Sequence, residues 1–378
     1  MRLLPDLGSI APTLLAVLAI TAAISLLLTP LVRGLVGSRG IIDTPNPRRV
    51  NTSPTPRGGG LAVAAAFLAV ATAVLVLGDR LGSMFGNAQF TIPQLIALLG
   101  GGAAAAIIGA VDDALDLRAR WQLGGQVALA LAAVGLGVGV ASIANPFGPG
   151  VIGLEGAFAA GFTVLWIVGM INSINFIDGL DGLSSGIALV AAVTLGLISL
   201  TESVGQPVVA LLCFALAGAL LGFLRWNAHP ASVFTGTSGV MFVGYTLAVL
   251  AILGAAKVVV ALLVLGVPII DTFWVIVRRL AAGRSPFTPD RGHLHHRLLD
   301  LGLSHRQTVI VIVAICAGLG AIALVASAAA QVYTFLGVLV GTGLVLFLVT
   351  RGGIAAEALE AGSYEPHEEP ADRPGAGP

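Results

Sequence analysis

Long apolar runs separated by short polar turns fill most of the chain. They fall near residues 10–36, 60–78, 92–111, 123–143, 157–174, 186–200, 207–224, 238–253, 258–277, 308–327 and 332–349. A helix that crosses the hydrocarbon of a bilayer needs about 20 mostly apolar residues. The pattern therefore predicts eleven transmembrane helices in an all-α integral membrane protein. The first run, Ile10 to Leu28, is longer than the roughly 7–15 apolar residues of a signal-peptide core. It continues into PLVRGLV and reads as a retained span.

Composition supports this picture and narrows the chemistry. Hydrophobic residues make up 57% of the 378 residues and charged ones 10%, with a mean hydropathy of +0.98, against about 25% charged residues in soluble domains. An ordinary soluble domain is excluded. The 19 basic and 19 acidic residues cancel overall, and no basic face for nucleic acid is visible. On loops, however, the charges are uneven. If residues 34–59 are cytoplasmic, all Lys and Arg except Arg2, Arg80 and Lys257 share that side, as the positive-inside rule requires.

The N-terminus is then outside and the C-terminus cytoplasmic. Outer connections such as NPFGPGVIGLEG and ESVGQ carry almost no charge, so chemistry is expected at the cytoplasmic face of a cell membrane. Residues 1–350 read as one polytopic transmembrane domain. Residues 351–378, acidic and Pro-rich, read as a disordered cytoplasmic tail. Cys213 and Cys316 lie inside apolar runs, where thiols act as small hydrophobes; no disulfide or cysteine metal site is implied.

Carboxylates near membrane depth are costly and usually serve a site. In IGAVDDALDLRARWQ, Asp112 and Asp113 adjoin at a helix end, with Asp116 one turn beyond Asp112. Such a pair suits Mg²⁺, which takes oxygen ligands and commonly shares them with substrate phosphates; a solvated helix end paired with Arg118 and Arg120 is the plainer reading. In NSINFIDGLDGLSSG, Asn172, Asn175, Asp178 and Asp181 recur every third residue, which puts them on one face if the stretch is helical.

In RRLAAGRSPFTPDRGHLHHRLLDLGLSHRQ, His293, His295, His296 and Arg297 cluster. A zinc site is one reading. An anion site is another, because His and Arg donate to phosphate oxygens, Arg bidentately; a basic loop holding lipid headgroups is a third. The first loop, GIIDTPNPRRVNTSPTPRGGG, adds Arg48, Arg49 and Arg57, as topology-setting charge or as a second binding wall. One membrane face thus combines carboxylates, a His/Arg cluster and Gly-rich turns, which suits a phosphoryl group presented by a lipid, with Mg²⁺ neutralising a diphosphate.

The segments DDALDLRARWQ, NSINFIDGLDGLSSG, RWNAHPASVF and PDRGHLHHRLLDLG, in that order, resemble the polyprenyl-phosphate N-acetylhexosamine-1-phosphate transferases over about residues 10–350. The His-x-His-His-Arg form is similar to the WecA and TagO branch rather than to MraY-like proteins. The resemblance implies transfer of N-acetylglucosamine 1-phosphate from UDP-GlcNAc to a polyprenyl phosphate with Mg²⁺ (Mn²⁺ as the alternative ion). Polyprenyl-diphospho-GlcNAc and UMP would result, the first step of a cell-envelope glycopolymer. UDP-MurNAc-pentapeptide or another UDP-HexNAc remains an alternative donor, and a homodimer is allowed.

Residue by residue, the resemblance assigns Asp112, Asp113 and Asp178 to catalysis and metal binding, with Asp112 as the base. It assigns Asn175, Asp181, Asn227 and Phe234 to the nucleotide, with Asp181 on the uracil edge and Phe234 stacking. His293, His295, His296 and Arg297 would hold the diphosphate and sugar, with Arg49 and Arg57 in the first-loop motif. Two departures stand out. FTGTSGV carries Thr237 where the family has a metal-ligand Asp, with Val240 in place of Ser, and Asn51 stands where a His is common. These departures keep open an inactive membrane scaffold. A proton-coupled transporter using Asp271, beyond the helix-disturbing Pro268, is a further alternative of another class.

Overall fold

The computed structural model describes residues 4, 7–45, 53–78, 90–145, 150–254, 258–281, 283, 285, 293–327 and 329–344. Arg48, Arg49, Asn51 and the tail after residue 350 lie outside the described residues. The described residues are mostly helical. The helices are α1 (Leu7–Ser38), α2 (Gly60–Gly78), α3 (Ile92–Leu95), α4 (Gly101–Leu115), α5 (Ala119–Gly135), α6 (Gly156–Ile177) and α7 (Leu183–Ser199). They continue as α8 (Pro207–Asn227), α9 (Gly236–Leu253), α10 (Val258–Val264), α11 (Gly266–Ala281), α12 (Leu294–Asp300) and α13 (His305–Val325). A π-helical turn, Ile96–Gly100, joins α3 to α4 into one span, Ile92–Leu115.

Every predicted apolar run forms helix, but not every run is a full span. Seven helices among the described residues are long and apolar enough to cross a membrane, or eight if α10 and α11, bent by 77°, are taken as one span. Helix α7 is shorter than a full span, and α5 carries Arg120, Gln122 and Gln126 among its apolar residues.

Close helix approach replaces the hydrophobic drive that lipid cannot supply. Helix α1 runs along α8, where Gly218 and Gly222 lie four residues apart. A Cβ on either would stand 2.3 Å from Leu18 O or 2.1 Å from Ala22 O, so only glycine permits the contact. Helix α9 is the hub: every residue from Ser238 to Leu253 is buried, against α4, α6 and α2. Its Gly239 meets Gly60 at the start of α2, where a Cβ on Gly60 would fall 2.0 Å from the Gly239 Cα.

This packing gathers the polar segments at one end of the bundle. The C-termini of α4, α6 and α8 meet the N-termini of α7, α9 and α13 there. A short antiparallel pair, β1 (Ile42–Asp43) and β2 (Thr55–Pro56), covers them from the first loop. Arg57 bridges in parallel to Phe234, and the amides of Phe234 and Gly59 exchange bonds of 2.9 Å with Pro56 O and Phe234 O. A second pair, β3 (Ser142–Ala144) and β4 (Val151–Gly153), joins α5 to α6.

Candidate active site

The site is built on the start of α9. Gly236 adopts φ +71°, a left-handed conformation that costs glycine nothing. A Cβ there would meet Gly58 N at 2.5 Å and Asp113 Oδ2 at 2.6 Å. This turn exposes the first amides of α9, and Asp113 from the end of α4 accepts them. Thr237 N donates at 2.8 Å to Oδ1, while Ser238 N at 3.0 Å and Ser238 Oγ at 2.8 Å donate to Oδ2. A carboxylate at a helix N-terminus satisfies orphan amides and the helix dipole together.

Arg57 seals the same end of α4. Its Nε and Nη2 donate at 3.1 and 2.8 Å to the Asp113 carbonyl, and Nη2 lies 3.7 Å from Asp116 Oδ1. Asp116, at φ 52°, ends the helix. Asp112 faces elsewhere: its Oδ1 accepts Leu117 N at 3.0 Å and Gln122 Nε2 at 2.7 Å. The adjacent aspartates therefore hold different partners, and Asp112 lines neither of the two clefts described next. The turn at Asp116 thus draws Asp112 towards α5, while Asp113 and Asp178 line one cleft.

The first cleft, about 300 Å³, is lined by Asp43, Arg57, Asp113, Asn175, Asp178, Asp181, Asn227, Phe234, Thr237, His296 and His305, among others. The periodic face Asn175, Asp178, Asp181 thus reaches one cavity, although only Asn175 is helical; α6 ends at Ile177. Asp178 accepts the Ser184 hydroxyl. Burial, with help from the neighbouring Asp113 and Asp181, pushes its carboxyl up to about 6. Asn227 is more structural than its assignment suggests: it accepts Ser185 Oγ at 2.9 Å and donates to Val233 O at 3.1 Å, holding the loop that presents Phe234. Asp181 Oδ2 takes His229 Nδ1 at 2.7 Å and Ala231 N at 3.1 Å. Asp181, His229 and His305 each place one potential ligand atom within 4.8 Å of the others.

The second cleft, about 380 Å³, is rich in nitrogen donors: Gln122, Gln126, Asn172, Arg279, His293 and His295 line it, with Asn175, Asp178, Gly179 and His296 shared with the first. Asp271 organises its histidines. Its Oδ2 lies 2.8 Å from His293 Nδ1 and its Oδ1 accepts Leu294 N at 2.8 Å, so α11 fixes the start of α12. His295 is buried, with both ring nitrogens lacking a hydrogen-bond partner. Its burial, and then the neighbouring His296, His293 and His305, hold its pKa well below the ordinary histidine value, so the ring is neutral. Arg297 sits on α12 and lines neither cleft.

A third cleft, about 560 Å³, continues from the second through Leu123, Asn172 and Phe176. Its walls are apolar: Phe162, Leu165, Trp166, Met170, Ile269 and Phe273. The sequence reading missed Arg279, His229, His305 and Gln122. A signal existed for His305. Ser304 and Gln307 form a capping box, an S-x-x-Q pattern that marks a helix start and places His305 on its first turn.

A family model described as glycosyl transferase family 4 matches residues 95–255. The chain is 36% identical over 337 residues to the decaprenyl-phosphate N-acetylglucosaminephosphotransferase of Mycolicibacterium smegmatis, covering 82% of this chain and 81% of that protein. It is 36% identical over 325 residues to the protein of the same name from Mycobacterium tuberculosis, covering 79% of each. The undecaprenyl-phosphate alpha-N-acetylglucosaminyl 1-phosphate transferase of Salmonella typhi is 30% identical over 295 residues, with 74% and 76% covered.

Proposed function

The chain belongs to glycosyl transferase family 4, and from that membership and the chemistry of the clefts we infer a polyprenyl-phosphate N-acetylglucosamine-1-phosphate transferase. It moves N-acetylglucosamine 1-phosphate from UDP-GlcNAc to polyprenyl phosphate, releasing UMP. One observation carries this reading. Three adjoining clefts pass from carboxylates and Phe234, through nitrogen donors, to hydrocarbon walls. A nucleotide, a diphosphate and a polyprenyl tail are ordered in the same way.

In this reading Phe234, Asn175 and Asp181 hold the nucleotide in the first cleft. Gln122, Arg279 and the His293–His296 loop orient phosphate oxygens in the second. The apolar cleft, between α6 and the bent α10–α11 pair, takes the start of the isoprenoid. The positive-inside count sets this end in the cytoplasm. The attacking oxygen needs little help from a base, because a phosphate monoester has a second pKa of about 6 and is largely ionised at neutral pH. Alignment and charge neutralisation then carry the step, and Asp112 acts by fixing the α4 turn and Gln122.

Mg²⁺ fits the residues present. Asp113 and Asp178 line the same cleft as the neutral oxygen of Thr237, and the pKa of Asp178, raised mainly by burial, is raised further by the negative charge of Asp113 and Asp181, which a cation relieves. Asp178, with Asp113, would hold it; when bound, the ion neutralises diphosphate charge. Thr237 removes one anionic ligand without removing the site. Asp271 is occupied by His293 and Leu294 N, which speaks against a transport relay.

The test is UMP release by purified protein given polyprenyl phosphate, Mg²⁺ and either UDP-GlcNAc or UDP-MurNAc-pentapeptide. Release with UDP-GlcNAc, lost in Asp178→Asn and retained in Asp112→Asn, is expected. Release only with the second donor overturns the sugar assignment, and none with either overturns the transferase reading.

A further inference from the structure

The first cleft contains a histidine pair that the reading above leaves without a task. His229 follows α8 and His305 opens α13, 76 positions later in the chain, yet their rings stack with centroids 4.0 Å apart and planes 21° apart. His229 Nδ1 lies within hydrogen-bond reach of Asp181 Oδ2 at 2.7 Å, whereas His305 Nε2 stands 4.0 Å from it and makes no hydrogen bond. Ala231 N donates to the same oxygen at 3.1 Å. The arrangement is held from outside by Arg306 Nη2, which donates at 3.2 Å to His229 O, and by the Ser304 cap that sets the first turn of α13.

A shared metal ion is one way to use these three residues. The ring geometry argues against it. An imidazole lone pair lies in the ring plane, so an ion bound by both rings must lie near both planes. Stacked rings only 21° apart do not converge on such a point. The same geometry suits a clamp in which His229 alone bonds the carboxylate and the stacked His305 ring fixes the height of the His229 ring.

We propose that His229, which bonds Asp181 Oδ2, and His305, which stacks on His229, are positioning residues that lock this carboxylate, so that Oδ1 is presented to the cleft as a fixed acceptor for an N–H of the donor substrate. This rests on the transferase reading, under which that group is the imide N–H of a pyrimidine base stacked on Phe234. Both described hydrogen bonds to the carboxylate fall on Oδ2 and none described falls on Oδ1. A carboxylate pinned through one oxygen cannot rotate away, so the rotamer entropy of the acceptor is lost on folding rather than on binding. His305 brings a membrane helix, α13, into control of the nucleotide pocket.

The test exploits atom positions. An Asn at 229 places its nitrogen near the histidine Nδ1 and a Gln does not; a Phe at 305 keeps a ring to stack on His229 and an Ala does not. Donor and acceptor KM and kcat are measured for the full chain in lipid nanodiscs with UDP-GlcNAc and polyprenyl phosphate, for His229→Asn, His229→Gln, His305→Phe and His305→Ala. Each variant is also titrated with UMP. Donor KM and the UMP dissociation constant rise about tenfold, equivalent to about 1.4 kcal/mol, in His229→Gln and His305→Ala. Both stay near the parent in His229→Asn and His305→Phe, with kcat and acceptor KM unchanged throughout. Equal defects within each pair, or losses in kcat with donor KM unmoved, overturn the clamp. A parent that turns over no UDP-sugar overturns the transferase reading itself, and unaltered UMP affinity in all four variants overturns the clamp alone.

Discussion

The first and third clefts make opposite use of the same bundle. Around the α9 start, four helix ends and the first loop lay polar groups against one another, and nearly every one is held by a partner: Asp113 by the α9 amides, Asn227 by Ser185 and Val233, Asp181 by His229. Along α6 and α11 the walls are smooth hydrocarbon. Gly169, which lines that cleft, has nothing within 4 Å of where a Cβ would sit, whereas a Cβ on Gly179 in the polar clefts would fall 2.3 Å from His295 Nε2. Precision is concentrated where charge must be placed, and slack is tolerated where a chain only has to be kept out of water.

The sharpest way to break this division is to remove charge from the polar side. Asp178→Asn should lower kcat/KM by roughly 10²–10³-fold, the range for losing one electrostatic stabiliser, with the fold intact by thermal unfolding. Asp113→Ala should instead cost about 3 kcal/mol of stability, because two α9 amides lose a buried, charge-assisted acceptor. The unfolding midpoint would fall and activity with it. If Asp113→Ala unfolds like the parent, its helix-capping role is wrong.

Gly179→Ala should lower kcat/KM about tenfold, an effect of 1.4 kcal/mol, because the His295 ring must shift, while thermal unfolding changes little. A similar replacement at Gly169 leaves turnover at the parental level, since the apolar side has room. A pH series gives a smaller effect. The Asp178 carboxyl titrates near 6 in the fold against 3.8 unfolded. The folded state therefore binds the proton more tightly, and without divalent cation its stability falls as pH rises from about 4 to about 6. The loss is absent in Asp178→Asn and is reversed by Mg²⁺ above pH 6; a midpoint difference between parent and Asp178→Asn that is flat across this window contradicts the shift.

Most of the fold was legible because lipid imposes a simple rule, long apolar helices, and each apolar run became one. What the runs hid was length. α7 reads as a span but is short, since apolar composition looks alike in a lipid-facing helix and a buried one. The site was legible in its carboxylates and its His cluster, whose cost near a membrane singles them out. The separate partners of Asp112 and Asp113 were not legible, because spacing along a helix does not reveal the turn at Asp116. Arg279, His229 and His305 escaped notice because what makes them functional is long-range: α11, the α8 end and α13 meet only in the folded bundle.

The central claim, that one cleft binds the nucleotide donor and another the lipid acceptor, is most directly tested by a pair of variants read in one assay. Phe234→Ala removes the nucleotide wall, and Gly169→Leu fills the apolar cleft. Donor KM should rise in Phe234→Ala with acceptor KM unchanged, and acceptor KM should rise in Gly169→Leu with donor KM unchanged. If both variants raise the same KM, or Gly169→Leu leaves the acceptor untouched, the division of labour between the clefts is refuted.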